Sequence, residues 1–310
     1  MKRAPLLAAA ALALPPLALH AAAAVCLRMV CLPRRWSAGG MREQEIENGF
    51  ADCVEAYEKR WARESFELER GGVTLRGEII DNPSERGERR KLAVICHGQT
   101  ANRYAALKYA DLFYRAGFSA LIYDERYFGE SGGECCTLGQ EESLDLAAIL
   151  AFARERFGKD CLIALHGESM GAATALLALR YTSVDLVVAD CPFADSEELF
   201  GQWLRARLPI PPGLILPYFE RLALRRFGYR VRETSPIAAV RGAEVPILFM
   251  HGEADSLIPC GHSRELLAAC RDGRSALRLF PGADHAQSIL SDRPRYEALV
   301  LEFLKSCGVI

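Results

Sequence analysis

Six short apolar runs punctuate the chain from residue 92 onward: L-A-V-I-C (92–96), F-S-A-L-I-Y (118–123), C-L-I-A-L (161–165), D-L-V-V-A (185–189), V-P-I-L-F-M (245–250) and A-L-R-L-F (276–280). Helical patterns lie between most of them, near 103–116, 140–157, 169–181, 262–271 and 294–306. A strand apolar on both sides must be covered on both sides, and strands alternating with helices pair in parallel. The chain is therefore expected to form an α/β fold, a mostly parallel sheet between helix layers. Upstream, F-E-L-E-R (66–70) and V-T-L-R-G-E-I-I (73–80) alternate around Gly71-Gly72 and predict a hairpin, compatible with an antiparallel edge.

The alternation breaks once. More than fifty residues, Cys191–Glu244, separate the runs at 185–189 and 245–250, and they include the Pro-rich apolar stretch L-P-I-P-P-G-L-I-L-P-Y-F (208–219). An insertion of that size at that place reads as a cap, about 192–240, over the carboxyl edge of the sheet. Seven arginines fall between Arg205 and Arg232 against one acid, Glu220. They suit either a solvated helix face or a surface for anionic membranes or substrates.

The first 35 residues differ from the rest. No charge occurs from Ala4 to Leu27, with Lys2 and Arg3 before and Arg28, Arg34 and Arg35 after. As a helix that segment reaches about 36 Å, enough for a hydrocarbon layer of ~30 Å. A membrane anchor is the expectation, with a cleaved signal peptide (Ala-x-Ala sites within Ala21–Ala24) or a buried helix as the alternatives. Pro15-Pro16 would kink such a helix, and Trp36 suits an interface. Residues 36–65 are expected to be an amphipathic linker helix, since Ile46, Phe50, Val54, Tyr57 and Trp61 recur at helical spacing. The main α/β domain would then span 66–310.

With 310 residues, half of them hydrophobic, the chain can bury a large core; its net charge of −2 offers no attraction to nucleic acid. Eleven cysteines include no C-x-x-C pair. No metal or organic cofactor is expected, because neither ligand spacing nor a phosphate-binding glycine loop occurs.

The run 161–165 leads into Gly167-Glu168-Ser169-Met170-Gly171, and small residues follow. G-x-S-x-G is weak alone, but between a strand and a helix it predicts a sharp elbow that lifts one serine above the sheet edge. Flanking glycines leave room for the turn. A serine needs a base. Of the six histidines, His20 lies in the N-terminal segment, His97 and His251 directly follow strands, His166 precedes the elbow and His262 opens a helix. His285, in P-G-A-D-H-A-Q-S, remains. The base needs an acid: Asp255 after the run 245–250 is the first choice, Asp190 and Asp195 the others. The order Ser169, Asp255, His285 suits this topology. Two donors for an oxyanion are expected from the main-chain N–H of Met170 and of Gln99, the latter in His97-Gly98-Gln99.

At H-G-Q-T-A-N-R (97–103), Y-D-E-R-Y-F-G-E-S-G-G (123–133), G-E-S-M-G-A-A-T (167–174), H-G-E-A-D (251–255) and P-G-A-D-H-A-Q-S (281–288) the chain resembles the α/β-hydrolase superfamily, from Phe66 to the C-terminus. It looks nearest to a bacterial, N-terminally anchored group of serine aminopeptidase-like or esterase-like members. The resemblance implies Ser169 as nucleophile, Asp255 as acid and His285 as base, and Asp124 and Arg126 as residues that order their loop. Two positions depart from the pattern: Tyr127 and Asp284 stand where relatives carry glycine, and the second puts a carboxylate beside the base. The function expected is hydrolysis of a carboxylic ester of a hydrophobic acyl group through an acyl-enzyme. Peptide, amide or thioester cleavage, or binding without chemistry, are the alternatives.

Overall fold

A computed structural model describes residues 4–83, 89–207 and 211–310, with the side chains of 4–15 outside that description. Lys2, Arg3, part of the polar break 81–87 and the start of the 208–219 stretch lie outside the described residues. The strands are β1 (Ala62–Arg70), β2 (Val73–Asp81), β3 (Lys91–Cys96), β4 (Ser119–Asp124), β5 (Leu162–Glu168), β6 (Leu186–Asp190), β7 (Ile247–Gly252) and β8 (Ala276–Phe280). The helices are α1 (Ala4–Cys31), α2 (Ala38–Glu45), α3 (Ala51–Glu55), α4 (Leu107–Arg115), α5 (Gln140–Phe157), α6 (Met170–Ala178), α7 (Ser196–Arg207), α8 (Pro212–Phe227), α9 (Pro236–Val240), α10 (Gly261–Ala269), α11 (Ser288–Ser291) and α12 (Arg293–Ser306).

The strands form one sheet in the order β1-β2-β4-β3-β5-β6-β7-β8. β1 and β2 pair antiparallel, β2 pairs antiparallel with β4, and the rest are parallel. Alternate residues of one strand enter opposite cores: Leu92, Val94 and Cys96 of β3 pack on one face, Ala93 and Ile95 on the other. Period-two burial on both faces is what a continuous apolar run requires. All six runs seen in the sequence are strands, though that at 245–250 is displaced to Ile247–Gly252.

The expected linker helix 36–65 is corrected. Only α2 and α3 are α-helical, with π-turns after each; Gly49, at φ 92°, breaks the rod. By Ala62 the chain is already β1, because its register against β2 runs from Ala62↔Asp81 to Arg70↔Val73. Pairing nine residues outweighs the local helical period.

A third apolar cluster stands apart from the two sheet faces. Ala23, Leu27, Val30 and Cys31 of α1 meet Ile215, Phe219 and Ala223 of α8 and Phe200 of α7, together with Cys136 and Met170. One side of the later part of the uncharged N-terminal segment is thus packed against the helices between β6 and β7. Among the described residues no helix is long and apolar enough to cross a membrane.

Candidate active site

β5 ends at the elbow. Ser169 holds φ 55° and ψ −115°, outside the usual regions for a residue with a side chain. The turn closes because Gly167 lies against Gly171: a Cβ on Gly167 would stand 2.3 Å from the Gly171 oxygen, and one on Gly171 would stand 2.3 Å from that of Cys96. No alanine fits at either place. The Ser169 N–H donates to the Asp190 main-chain oxygen at 2.8 Å, pinning the elbow to β6.

The hydroxyl so presented meets the loop after β8. Ser169 Oγ and His285 Nε2 are 2.8 Å apart, and His285 Nδ1 lies 2.8 Å from Asp255 Oδ2. Asp255 follows β7, is buried, and accepts main-chain N–H from Leu257 and Ile258 through Oδ1. His251 Nε2 lies 2.8 Å from the Ile258 main-chain oxygen and 3.2 Å from the same Oδ2, so one N–H is shared between them. Burial by itself would raise the Asp255 pKa, but the bonds from His251, His285 and the Ile258 N–H outweigh it and hold the carboxyl well below its usual range. It is an anion at neutral pH, oriented by His285 and the Leu257 and Ile258 N–H groups, with a share of the His251 N–H.

The other candidates are accounted for separately. Asp195 accepts N–H groups of Glu197 and Glu198 at the start of α7. Asp190 is wholly buried and accepts from Ser288 Oγ at 2.9 Å; burial, then the nearby Glu168 charge, pushes its pKa up to about 7. His166 lies 2.9 Å from Tyr296 Oη, and His262 faces Gln202 at 3.0 Å. His20 packs edge-on to Tyr218 of α8.

His97 is buried between Gly98 O, 2.8 Å from Nδ1, and the Glu125 N–H, which donates to Nε2 at 2.9 Å. It therefore holds the loop after β3 to the end of β4, and burial lowers its pKa. Neither the Gln99 nor the Met170 main-chain N–H has a partner among the described residues. Gln99 Nε2 donates to Val30 O at 2.9 Å, so α1 abuts this loop.

Both departures from the hydrolase pattern have physical accounts. Tyr127 holds φ 72°, the left-handed region that favours glycine. Its hydroxyl donates to Pro33 O at 3.0 Å, and the Arg35 guanidinium sits 4.9 Å from its ring. The tyrosine thus fastens the segment after α1. Asp284 Oδ1 accepts N–H from His285 and from Ser256, each at 2.8 Å, which ties the base-bearing loop to the acid-bearing loop. Those bonds lower its own pKa. Asp124 and Arg126 do order their loop: Asp124 accepts from Arg103 N and Glu130 N, and Arg126 forks onto Asp145 at 2.6 and 2.8 Å.

One group went unseen in the sequence. Glu168, the first variable residue of the pentapeptide, takes a hydrogen bond from Tyr109 Oη at 2.6 Å and lies 3.5 Å from Lys108 Nζ. Lys108 is buried and also meets Glu45 of α2 at 3.4 Å. A Cβ on Gly98 would stand 3.3 Å from Glu168 Oε1. This buried charge chain runs from the N-terminal helices to the loop bearing Gln99. An acid at the end of a buried, mostly apolar strand was its signal; its partners are too distant in sequence to name.

Cys191 Sγ offers a potential metal ligand with Asp255 and His285, their donor atoms within 4.8 Å of one another, but the latter two already bond each other. A cleft of about 740 Å³ lined by Asp52, Trp61, Asp111 and Arg293 includes no residue of the Ser169 site. Its acids are paired with Arg293.

The fold is that of an α/β hydrolase. Residues 92–228 match the family model described as alpha/beta hydrolase fold, and the chain belongs to the α/β-hydrolase superfamily. Among relatives, it is 40% identical over 214 residues to the uncharacterized protein YqkD of Bacillus subtilis, covering 68% of this chain and 70% of the relative. It is 27% identical over 202 residues to the uncharacterized membrane protein YNL320W of Saccharomyces cerevisiae, covering 64% and 66%. The solved esterase Pf2001 of Pyrococcus furiosus superposes with a TM-score of 0.65 at 22% identity, covering 81% of this chain and 95% of the esterase. At that identity the likeness is one of fold.

Proposed function

We propose that the chain is a serine hydrolase that cleaves a carboxylic ester of a hydrophobic acyl group. The observation that carries the reading is the linear array Ser169 Oγ, His285 and Asp255, closed by two contacts of 2.8 Å. His285 Nε2 removes the hydroxyl proton as Oγ attacks the ester carbonyl. The negative charge that develops on the carbonyl oxygen is met by the Met170 and Gln99 N–H groups. The imidazolium, steadied by Asp255, returns the proton to the departing alcohol and leaves an acyl-Ser169. Water, deprotonated by the same imidazole, then attacks the acyl carbon and releases the carboxylic acid and free serine.

The apolar cluster that includes Met170, Cys136, Phe193 and Phe200 favours a hydrophobic acyl group. The same machinery serves amides, peptides and thioesters, and the name of the Pyrococcus relative puts esters first. The uncharged stretch from Ala4 to Leu27, and the word membrane in the name of the yeast relative, support a location at a membrane.

A fluorophosphonate probe tests the chemistry. Labelling of intact protein and none of Ser169→Ala is the expected result; no labelling of either favours a binding protein on this scaffold. Turnover across a series of nitrophenyl acyl esters, beside aminoacyl amides, then ranks the substrate classes. Faster amide than ester cleavage overturns the ester assignment.

A further inference from the structure

The α1–α8 pair carries an unusual distribution of exposed groups. The two helices run side by side: the His20 ring meets Tyr218 edge-on, and Leu27 and Cys31 share an apolar cluster with Phe219 and Ala223. Large apolar residues are exposed along both helices: Leu17 64%, Val25 60% and Met29 63% on α1, and Leu214 51% and Leu224 37% on α8. Among them Arg28 of α1 and Arg221, Arg225 and Arg226 of α8 are exposed. None of these four has an ion pair among the described residues. The acid on α8, Glu220, is taken by Arg232 at 3.5 Å. Some arginines elsewhere are engaged, as Arg103 with Asp124 and Arg126 with Asp145.

We propose that these outer faces of α1 and α8 dock on an anionic lipid bilayer, with the exposed apolar side chains in the interface and the arginines at the phosphates. A helix lying in the plane of the interface seats its apolar side chains roughly 5–10 Å deep, and arginines interspersed with them reach the headgroup level. Exposed apolar and basic residues share the outer side of both helices, as such docking requires. A second copy of this chain is a poorer occupant, because a two-fold contact would set the unpaired arginines against their own images. The docking deepens the membrane part of the proposed function and does not depend on the ester chemistry.

The test is flotation of the full chain with phosphatidylcholine vesicles, with and without phosphatidylglycerol. Wild-type protein is expected to partition more strongly into the anionic vesicles, and less so as salt rises. The triple variant R221Q/R225Q/R226Q is expected to lose on the order of 100-fold in partition, about fivefold per arginine. Its fluorophosphonate labelling should match wild type, which shows that fold and serine are intact. Equal flotation of wild type and triple variant on both vesicle types overturns the proposal. So does a sedimenting dimer that Leu17→Ser with Leu214→Ser dissociates, since the face would then join two copies.

Discussion

The side-chain amide of Gln99 donates to the main-chain oxygen of Val30 at 2.9 Å. The loop beside Ser169 is thereby bonded to the end of α1. Four further ties make the same joint: Cys136 N donates to Cys31 O, Trp36 N to Thr100 O, Tyr127 Oη to Pro33 O and Arg35 Nη1 to Tyr127 O. The N-terminal segment is therefore part of the site's wall.

Gln99 then has two separable roles. Gln99→Ala removes the tie to Val30 and keeps the N–H; turnover on an acyl ester should fall by roughly tenfold or less. Gln99→Pro removes the N–H itself and should cost about 10²–10³ in kcat. Active-site titration corrects both for misfolded protein. Near-normal turnover of the proline variant would remove Gln99 from the reaction.

Asp255 depends on His251 as well as on His285. Asp255→Asn should lower kcat by about 10⁴, through the wrong imidazole tautomer. His251→Phe leaves the other three donors in place, and a loss of about tenfold is expected, with KM little changed. A His251 variant as inactive as Asp255→Asn would mean that His251 does more than orient the acid.

Lys108 compensates Glu168 and Glu45 inside the protein. Its pKa is raised: burial acts to lower it, and the two carboxylates outweigh that. Lys108→Met leaves uncompensated buried charge and should cost about 3–5 kcal/mol in urea unfolding. Adding Glu168→Gln removes one of the stranded charges and should recover part of that loss. Additive losses in the double variant would show that the two side chains are not coupled.

Asp190 gives a pH signature of stability. Its pKa is raised to about 7 in the folded protein, above an unfolded value near 3.9. The folded state thus holds its proton more tightly, and stability falls as pH rises from about 4 to about 7, then levels. Asp190→Asn cannot ionise. Denaturant unfolding should show the variant gaining on wild type between pH 5 and pH 8; an unchanged difference across that range contradicts a raised pKa.

Local pattern made much of this legible. The six apolar runs announced the parallel strands, since residues covered on both faces leave no polar alternation, and Gly71-Gly72 marked the hairpin. The strand-to-helix pentapeptide and two acidic or basic loops after successive strands were enough to single out Ser169, Asp255 and His285. The linker was misread because Phe50, Val54 and Tyr57 do recur at helical spacing, whereas β1 takes its start from a partner strand that local period does not reveal.

What the sequence by itself determined was every feature with a short range: the strand periodicity, the glycines that permit the elbow, and the order of the three polar residues around it. Only the tertiary structure decided which distant groups meet. It brought Val30 to Gln99, Lys108 to Glu168 and a second imidazole to Asp255, across separations of 69, 60 and four residues. Short-range features follow from sterics and burial along one stretch of chain; such pairings depend on how the helices pack over the sheet, and hydrophobic contact has no sequence signature of its partner.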